Sequence, residues 1–281
     1  MINVIGLGNA GCKIADLLAQ HPPYEIYKID ADLPKEKNSF SIGAHGDAQE
    51  YEEQIPPSVT KALQQIEGRV LFVVGGGGKI SSATLRLLEC VRDTQIEVLY
   101  IRPDLSHATP LVQTLDRITF NVLQQYARSG VFERLYIISN SEIEKVVGSL
   151  PVSQYYAHIN STIVSTFHML NVYKNTAPNF SRFLEEDTIS RICTIGVGTM
   201  NKVVDEMFFP LEHIQQKTYY FAINEEQVDG DGELLSNIKR RIATGGAPIE
   251  TGFGVYSTPY KDNYIYVVAN TKIIQGVNYD E

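Results

Sequence analysis

The stretch INVIGLGNAGCKIADLL, residues 2–18, decides the fold of the first half of this chain. An apolar run over residues 2–5 leads into Gly6, Gly8 and Gly11, and apolar residues at helical spacing follow. Glycines at this spacing allow a tight turn, and they let backbone N–H groups approach a phosphate at the N-terminus of a helix. The stretch predicts a nucleotide-binding strand–loop–helix unit. The same glycines also suit the simpler purpose of packing a helix closely on a strand.

Short apolar runs of the same kind recur through the first half and alternate with helical patterns. The predicted strands are residues 2–5, 24–29, 70–74, 98–101 and 135–138, and the predicted helices are residues 11–20, 57–66, 81–92 and 111–128. Continuous apolar strands are typical of strands that are covered on both faces. Alternation of such strands with helices predicts an α/β fold with a parallel sheet between two layers of helices.

A long helix follows, and after it the sequence changes from alternating strands and helices to a series of predicted strands. Ile159, Ile163, Phe167 and Leu170 recur at helical spacing before Pro178, which predicts a helix of more than four turns. Runs rich in Tyr, Val and Ile then predict strands at residues 191–198, 217–224, 252–258 and 263–270, with one helix at 232–243. We predict a Rossmann-like nucleotide-binding domain (1–150), a central helix (151–177) and a smaller α+β C-terminal domain (178–281).

The composition limits the function classes. The 281 residues carry a net charge of -9, which disfavours nonspecific binding to nucleic acid or to an anionic membrane. The three cysteines are far apart and form no C-x-x-C pair, so a disulfide framework or a zinc site is not expected. No run is apolar for the ~20 residues that a membrane span needs. We therefore expect a cytoplasmic protein with no direct contact to nucleic acid or membrane and no resident metal site.

Two further features bear on the nucleotide. Asp30 ends the second predicted strand, where a dinucleotide site keeps its ribose-binding acid. The stretch VLFVVGGGGKISSAT, residues 70–84, places four consecutive glycines between a buried strand and a helix. Lys79 does not complete a P-loop, because Val73 stands at the position of the first glycine and Ile80 at that of the Ser or Thr. Two glycine loops on neighbouring strands suggest convergence on the phosphates of one ligand.

The loops GLGNAG, GAHGDA and GGGGKIS, in this order, resemble the phosphate loops of the tubulin/FtsZ superfamily, and KIDAD resembles the stretch after its second strand. The resemblance implies a site for GTP or GDP, with Mg²⁺ accompanying the phosphates. It assigns nucleotide contacts to Gly6, Gly8, Asn9, Ala10, Gly11, Asp30, Asp32, Ala44, His45, Gly46, Gly75, Gly76, Gly77, Gly78, Lys79 and Ser81.

Two more segments resemble the part of that superfamily's site that holds the base. IISNSEI, residues 137–143, resembles the tubulin segment whose Asn contacts the nucleoside, which assigns that role to Asn140. YAHINSTI resembles the tubulin pattern Y-x-x-x-N at the start of the central helix. This implies stacking of guanine on Tyr156 and a hydrogen bond from Asn160, and the i, i+4 spacing puts both on one helix face.

The loop after the central helix departs from the resemblance. FtsZ carries N-x-D-x-x-D there, and its carboxylates act on the nucleotide of the next subunit. In APNFSRFLEEDT, aligned on Asn179, both acidic positions are replaced, by Ser181 and Leu184. Glu185, Glu186 and Asp187 follow and are the candidates for the catalytic role if the loop is shifted. Their alternative role is that of a solvated acidic segment.

Three functions remain open from the sequence. The first is a GTP-binding, FtsZ-like cytoskeletal protein that assembles with itself head to tail into filaments, with weak or altered hydrolysis. The second is an FtsZ-like structural or binding module that has lost polymerisation or catalysis. The third is an NAD(P)-dependent oxidoreductase, which the opening loop and Asp30 would also suit.

Overall fold

A computed structural model describes residues 1–185, 188–202, 204–243 and 249–276, and these residues form alternating strands and helices. The first half contains β1 (Ile2–Leu7), α1 (Gly8–Leu18), β2 (Tyr24–Asp30), β3 (Ser39–Ser41), α2 (Ala48–Glu53), α3 (Pro57–Leu63), β4 (Arg69–Gly75), α4 (Thr84–Cys90), β5 (Gln95–Arg102), α5 (Pro110–Arg128), β6 (Arg134–Ser139), α6 (Asn140–Val147) and α7 (Tyr155–Lys174). The second half contains β7 (Phe180–Arg182), β8 (Ile192–Gly198), β9 (Glu206–Met207), β10 (Gln216–Asn224), α8 (Glu225–Gly230), α9 (Leu234–Ala243), β11 (Glu250–Thr258) and β12 (Tyr264–Thr271).

The first six strands form the predicted parallel sheet, in the order β3-β2-β1-β4-β5-β6. β1 lies between β2 and β4, so the opening loop lies beside the glycine run that ends β4. The central strands are buried on both faces, as their continuous apolar sequences predict. The predicted α/β fold is confirmed.

The strands of the second half continue the same sheet. Beyond β6 the order is β8-β12-β10-β11-β7, with β9 paired to β8, and antiparallel pairs mix with the parallel pair β10–β11. β6 and β8 pair only through Leu135 with Ile192 and Tyr136 with Cys193. This short join makes one sheet of the two halves, and the division into two domains connected by the long helix remains a prediction.

The long helix α7 lies on one face of this sheet. Its 20 residues have a rise of about 30 Å, which exceeds the length of the strands that it packs against. Ile159, Ile163 and Phe167 are buried among core residues of α1, β6 and β12. The helix starts after Pro151 and ends before Pro178, close to the predicted bounds. In the described ranges, every helix is too short or too polar to cross a bilayer.

The differences from the sequence prediction concern short elements. The helix expected at 81–92 is divided into a 3₁₀ helix, Lys79–Ala83, and α4. The strands β3, β7 and β9 and the helices α2, α6 and α8 were not predicted, because two to eight residues give too little periodicity. α2 did carry a usable signal. Asp47 and Glu50 form a capping box at its start.

Candidate nucleotide-binding site

A cleft of about 200 Å³ lies at the carboxyl ends of the parallel strands, against the first turn and a half of α7. Ligands of open α/β sheets bind at this edge. Its walls come from the two glycine loops, the end of β5, the start of α6 and α7, and the lining residues are Asn9, Ala10, Lys13, Gly75, Gly76, Ile101, Pro103, Asn140, Tyr156 and Asn160. Seven of these were assigned to nucleotide contacts from the sequence.

The outer glycines of the opening loop serve packing. A Cβ on Gly6 would lie 2.5 Å from the carbonyl oxygen of Gly11, and a Cβ on Gly11 would lie 2.4 Å from that of Val73. Both glycines therefore let α1 approach β1 and β4 closely. Gly8, the first residue of α1, has φ +69°, a conformation that side chains disfavour. Asn9 and Ala10 then face the cleft with the N-terminus of the helix, where free N–H groups favour an anion.

The second glycine run is equally constrained. A Cβ on Gly76 would lie 2.2 Å from Oδ1 of Asp116 and 2.3 Å from the hydroxyl of Tyr100. Gly77 has φ +78°, whereas Gly78 has an ordinary extended conformation and nothing closer than 3.8 Å. Gly75 and Gly76 thus present bare backbone to the cleft. Only a glycine fits the space at Gly76.

A buried polar cluster supports this glycine run from below. Asp116 on α5 is fully buried and accepts hydrogen bonds from the Tyr100 hydroxyl at 2.7 Å and from Nη2 of Arg102 at 2.9 Å. The Arg102 guanidinium also lies 4.4 Å from the ring centre of Phe120. Sequence reasoning missed this cluster, because Asp116 sits in a polar-looking stretch of helix and its burial is set by tertiary packing.

The GAHGDA segment is joined to the second glycine loop. Nζ of Lys79 donates to the carbonyl oxygen of Gly46 at 2.5 Å, and the Ser82 hydroxyl donates to that of Ala48. His45 lies within the segment, with Nε2 3.1 Å from the carbonyl oxygen of Ile42. The structure therefore uses Lys79 as a link between loops. Ala44, His45 and Gly46 are not among the residues that line the cleft.

The remaining assigned residues of the phosphate side also lie outside the lining. Asp30 accepts a hydrogen bond from the N–H of Ala31 at 2.8 Å, at the carboxyl end of β2. Asp32 is exposed. The buried Ser81 hydroxyl donates to the carbonyl oxygen of Gly78 at 2.5 Å, which closes a local turn. The assignment of nucleotide contacts to these three residues remains a prediction.

The three residues that the sequence assigned to the base and nucleoside, Asn140, Tyr156 and Asn160, lie together in the cleft lining. Tyr156 is 62% exposed, and its ring lies edge-on against Tyr155 with centroids 5.1 Å apart, so one face is free to stack. Asn160, one turn further along α7, is buried. Oδ1 of Asn140 is also buried, and no described residue gives it a hydrogen bond. A buried acceptor of this kind requires a donor from a ligand or water.

Three lining residues, Lys13, Ile101 and Pro103, were not assigned to the nucleotide from the sequence. Lys13 lies on α1, two residues after the opening loop, and is exposed at the cleft. Pro103 follows the end of β5. The sequence could have indicated Lys13, because it lies within one helical turn of the opening loop. The cleft lining contains no carboxylate, and the described ranges hold no group of three His, Cys, Asp or Glu that could bind a metal.

The loop after α7 lies at the opposite edge of the sheet. Glu185 is exposed and borders a second cavity with Arg69 and Gln95, which begin β4 and β5. The length of α7, about 30 Å, separates this edge from the cleft within one chain. Glu186 and Asp187 lie outside the described residues. Ser181 and Leu184 occupy the two positions where the FtsZ pattern has carboxylates.

The comparisons with known proteins concern the fold alone. No family model matches the sequence, and no curated protein does. Among solved structures, an empty FtsZ dimer from M. jannaschii matches with a TM-score of 0.71 and 13% identity, over 96% of this chain and 88% of the other. The GTPγS-form protofilament of Bacillus thuringiensis serovar israelensis TubZ matches with a TM-score of 0.70 and 16% identity, over 96% and 86%.

A third solved structure is the GTPγS-bound protofilament of CetZ2 from Haloferax volcanii. It matches with a TM-score of 0.70 and 16% identity, over 96% of this chain and 92% of the other. These likenesses include the long helix and the second half of the sheet, so they extend beyond the strand order that any Rossmann-like domain shares. The chain therefore has the tubulin/FtsZ-like fold of FtsZ, TubZ and CetZ.

Proposed function

We propose that this chain is a tubulin-like protein that binds GTP or GDP in the cleft at the carboxyl edge of the sheet. The observation that carries the proposal is the buried, unpaired Oδ1 of Asn140 beside the free face of Tyr156, at the end of two glycine loops. Stacking on an aromatic ring, a hydrogen bond to an amide and a phosphate at a helix N-terminus are the three interactions that a nucleotide needs.

Each wall of the cleft has a role in this proposal. The backbone N–H groups at Asn9 and Ala10, in the first turn of α1, bind phosphate oxygens, and Lys13 adds a positive charge. Tyr156 stacks on the guanine, while Asn140 and Asn160 bind polar atoms of the nucleoside. Because the lining offers no carboxylate, a Mg²⁺ ion would be held by the phosphates and water.

We further propose that the chain assembles with itself head to tail. The cleft and the loop after α7 lie at opposite edges of one sheet, so two copies that stack in one direction bring the loop of one to the cleft of the next. A head-to-tail contact of this kind builds an open filament unless its rotation closes a ring. The TubZ and CetZ2 structures with this fold are protofilaments.

Hydrolysis is expected to be slow in such an assembly. Ser181 and Leu184 cannot orient a water molecule as carboxylates do, and positioning of the nucleophile accounts for much of phosphoryl-transfer catalysis. Glu185, with Glu186 and Asp187, remains the candidate for this role. A Glu185→Gln variant that lowers the rate of phosphate release from GTP supports it, with Glu53→Gln on α2 as a matched exposed control.

The nucleotide that leaves the purified protein on acid denaturation tests the binding proposal. GTP or GDP in near-stoichiometric amount supports it, whereas NAD(H) or NADP(H) contradicts it and favours the oxidoreductase. If the protein is isolated empty, it is titrated with GDP, ATP and NADH. We expect saturable binding of GDP alone.

Sedimentation with GTP tests assembly separately. We expect a pellet that depends on GTP and is smaller with GDP. Saturable GDP binding without a pellet at any protein concentration would support the binding module instead of the filament.

A further inference from the structure

A cavity larger than the nucleotide cleft lies at the amino ends of the parallel strands. Its volume is about 510 Å³, which lies in the range of small-molecule sites. Its floor is formed by β4, β5 and β6 on one side and by β10 and β12 on the other, and Lys174 at the end of α7 closes it from above. The proposed nucleotide cleft makes no use of this cavity.

A chain of polar contacts runs along one wall. Nη2 of Arg69 lies 3.4 Å from Oε2 of Glu97, and the Tyr136 hydroxyl donates to Oε1 of the same carboxylate at 3.2 Å. Nζ of Lys174 in turn donates to the Tyr136 hydroxyl at 2.7 Å. Both oxygens of Glu97 are therefore engaged by other groups. Among the described residues, the ammonium of Lys174 donates only to the neutral Tyr136 hydroxyl, so two of its N–H groups remain for another acceptor.

The charge around Lys174 is not balanced. No carboxylate of the described residues lies within 4.0 Å of its Nζ. Burial lowers the pKa of its ammonium, Glu97 opposes this effect, and the positive charges of Arg134 and Arg69 add to it. Glu133 at the rim lies 3.6 Å from Arg191, and Glu185 is exposed at the mouth. The inner part of the cavity is consequently a cationic pocket.

We propose that this cavity is a second binding site, for a small organic anion whose carboxylate or phosphate group is held by Lys174. The anion would accept charged hydrogen bonds from the N–H groups of Lys174 that the Tyr136 hydroxyl leaves free. The rest of such a molecule would lie against Tyr136 and Tyr220 and meet the polar groups of Thr218 and Asn270. These are a mixed apolar and polar lining, as small-molecule sites have.

An anion in this cavity would contact both halves of the sheet. Tyr136 belongs to β6, whereas Thr218 and Asn270 belong to β10 and β12 across the short β6–β8 join. The ligand would thus stabilise one arrangement of the two halves. This inference does not depend on GTP binding, because the two cavities share no lining residue.

The test is titration calorimetry with citrate and with inorganic phosphate, compared with sodium chloride at equal ionic strength. We expect saturable binding of at least one of the two anions. Lys174→Met should weaken it about tenfold or more, the loss expected for one charged hydrogen bond. Lys174→Arg should restore part of it, and Lys145→Met, a lysine paired with Glu142 on the surface of α6, should leave it unchanged.

The outcomes separate the ligand classes and the sites. Binding of citrate alone identifies a carboxylate ligand, and binding of phosphate alone identifies a phosphate ligand. Heat signals no larger than those of sodium chloride overturn the proposal, as does full affinity in Lys174→Met. Loss of binding in Lys13→Met instead would place the anion in the nucleotide cleft and would also overturn it.

Discussion

The two edges of the parallel sheet carry cavities of opposite construction. At the carboxyl edge the cleft is formed by bare backbone, two asparagines and one exposed aromatic ring, with Lys13 as the charged group in its lining. At the amino edge the cavity has a mixed lining that includes several charged side chains, among them Arg69, Glu97 and Lys174. A site of backbone groups needs a rigid support to hold its shape, whereas a site of long side chains adapts to its ligand. In this molecule the carboxyl edge therefore provides a rigid site, and the amino edge provides most of the charged groups.

The largest expected effect concerns the rigid support of the carboxyl edge. Asp116→Ala removes a fully buried carboxylate and leaves the half-buried Arg102 without its partner, so it should lower the free energy of unfolding by about 3–5 kcal/mol. Denaturant unfolding measures this change. Asp93→Ala, whose carboxylate is exposed, is the control and should change stability by less than about 0.5 kcal/mol. Equal effects of the two variants would show that the cluster does not support the glycine run.

The second prediction separates the two cavities. Tyr156→Ala should weaken GDP binding by about 1–3 kcal/mol, because it removes the ring on which the base stacks. Tyr156→Phe keeps the ring and should bind GDP nearly as the parent does. Calorimetry with GDP measures both. The comparison of the two edges would fail if Tyr156→Ala weakened citrate or phosphate binding as much as GDP binding.

The smallest effect concerns the middle of α7, between the two edges. The rings of His21 and His168 are stacked 3.8 Å apart, and burial, followed by the charge of His21, lowers the pKa of His168. His168 therefore binds a proton less readily in the folded chain than in the unfolded chain. The free energy of unfolding should fall as the pH drops below 6.5, the usual pKa of histidine.

Unfolding in denaturant between pH 7.5 and 5 checks this prediction. His168→Gln should make the loss of stability shallower. His158→Gln, an exposed histidine of the same helix, should leave the slope unchanged. A slope that is identical in all three proteins would contradict the assigned pKa.

The two edges also differ in what the sequence could predict. The residues of the carboxyl edge belong to short motifs that can be recognised in the sequence, because a turn and a helix face impose fixed spacings. Examples are Gly11, Gly76 and the pair Tyr156 and Asn160. Arg69, Glu97 and Lys174 come from three distant elements and meet only in the folded sheet. None of them stands out in its own segment. The parallel sheet, the long helix and most of the cleft lining were predictable because each depends on spacing within one stretch of sequence. The second cavity was not predictable, because its residues come together only in the folded sheet.

The short join between β6 and β8 has a mechanical consequence. In the head-to-tail filament that we propose, tension enters each subunit at one edge of the sheet and leaves at the other, so it runs along the strands. The ladder between β6 and β8 consists of Leu135 with Ile192 and Tyr136 with Cys193. Neighbouring strands on either side are paired along most of their length. Under such tension we expect the two halves of the sheet to move relative to each other first at the β6–β8 join. The β6–β8 join is therefore the place where we expect the subunit to bend.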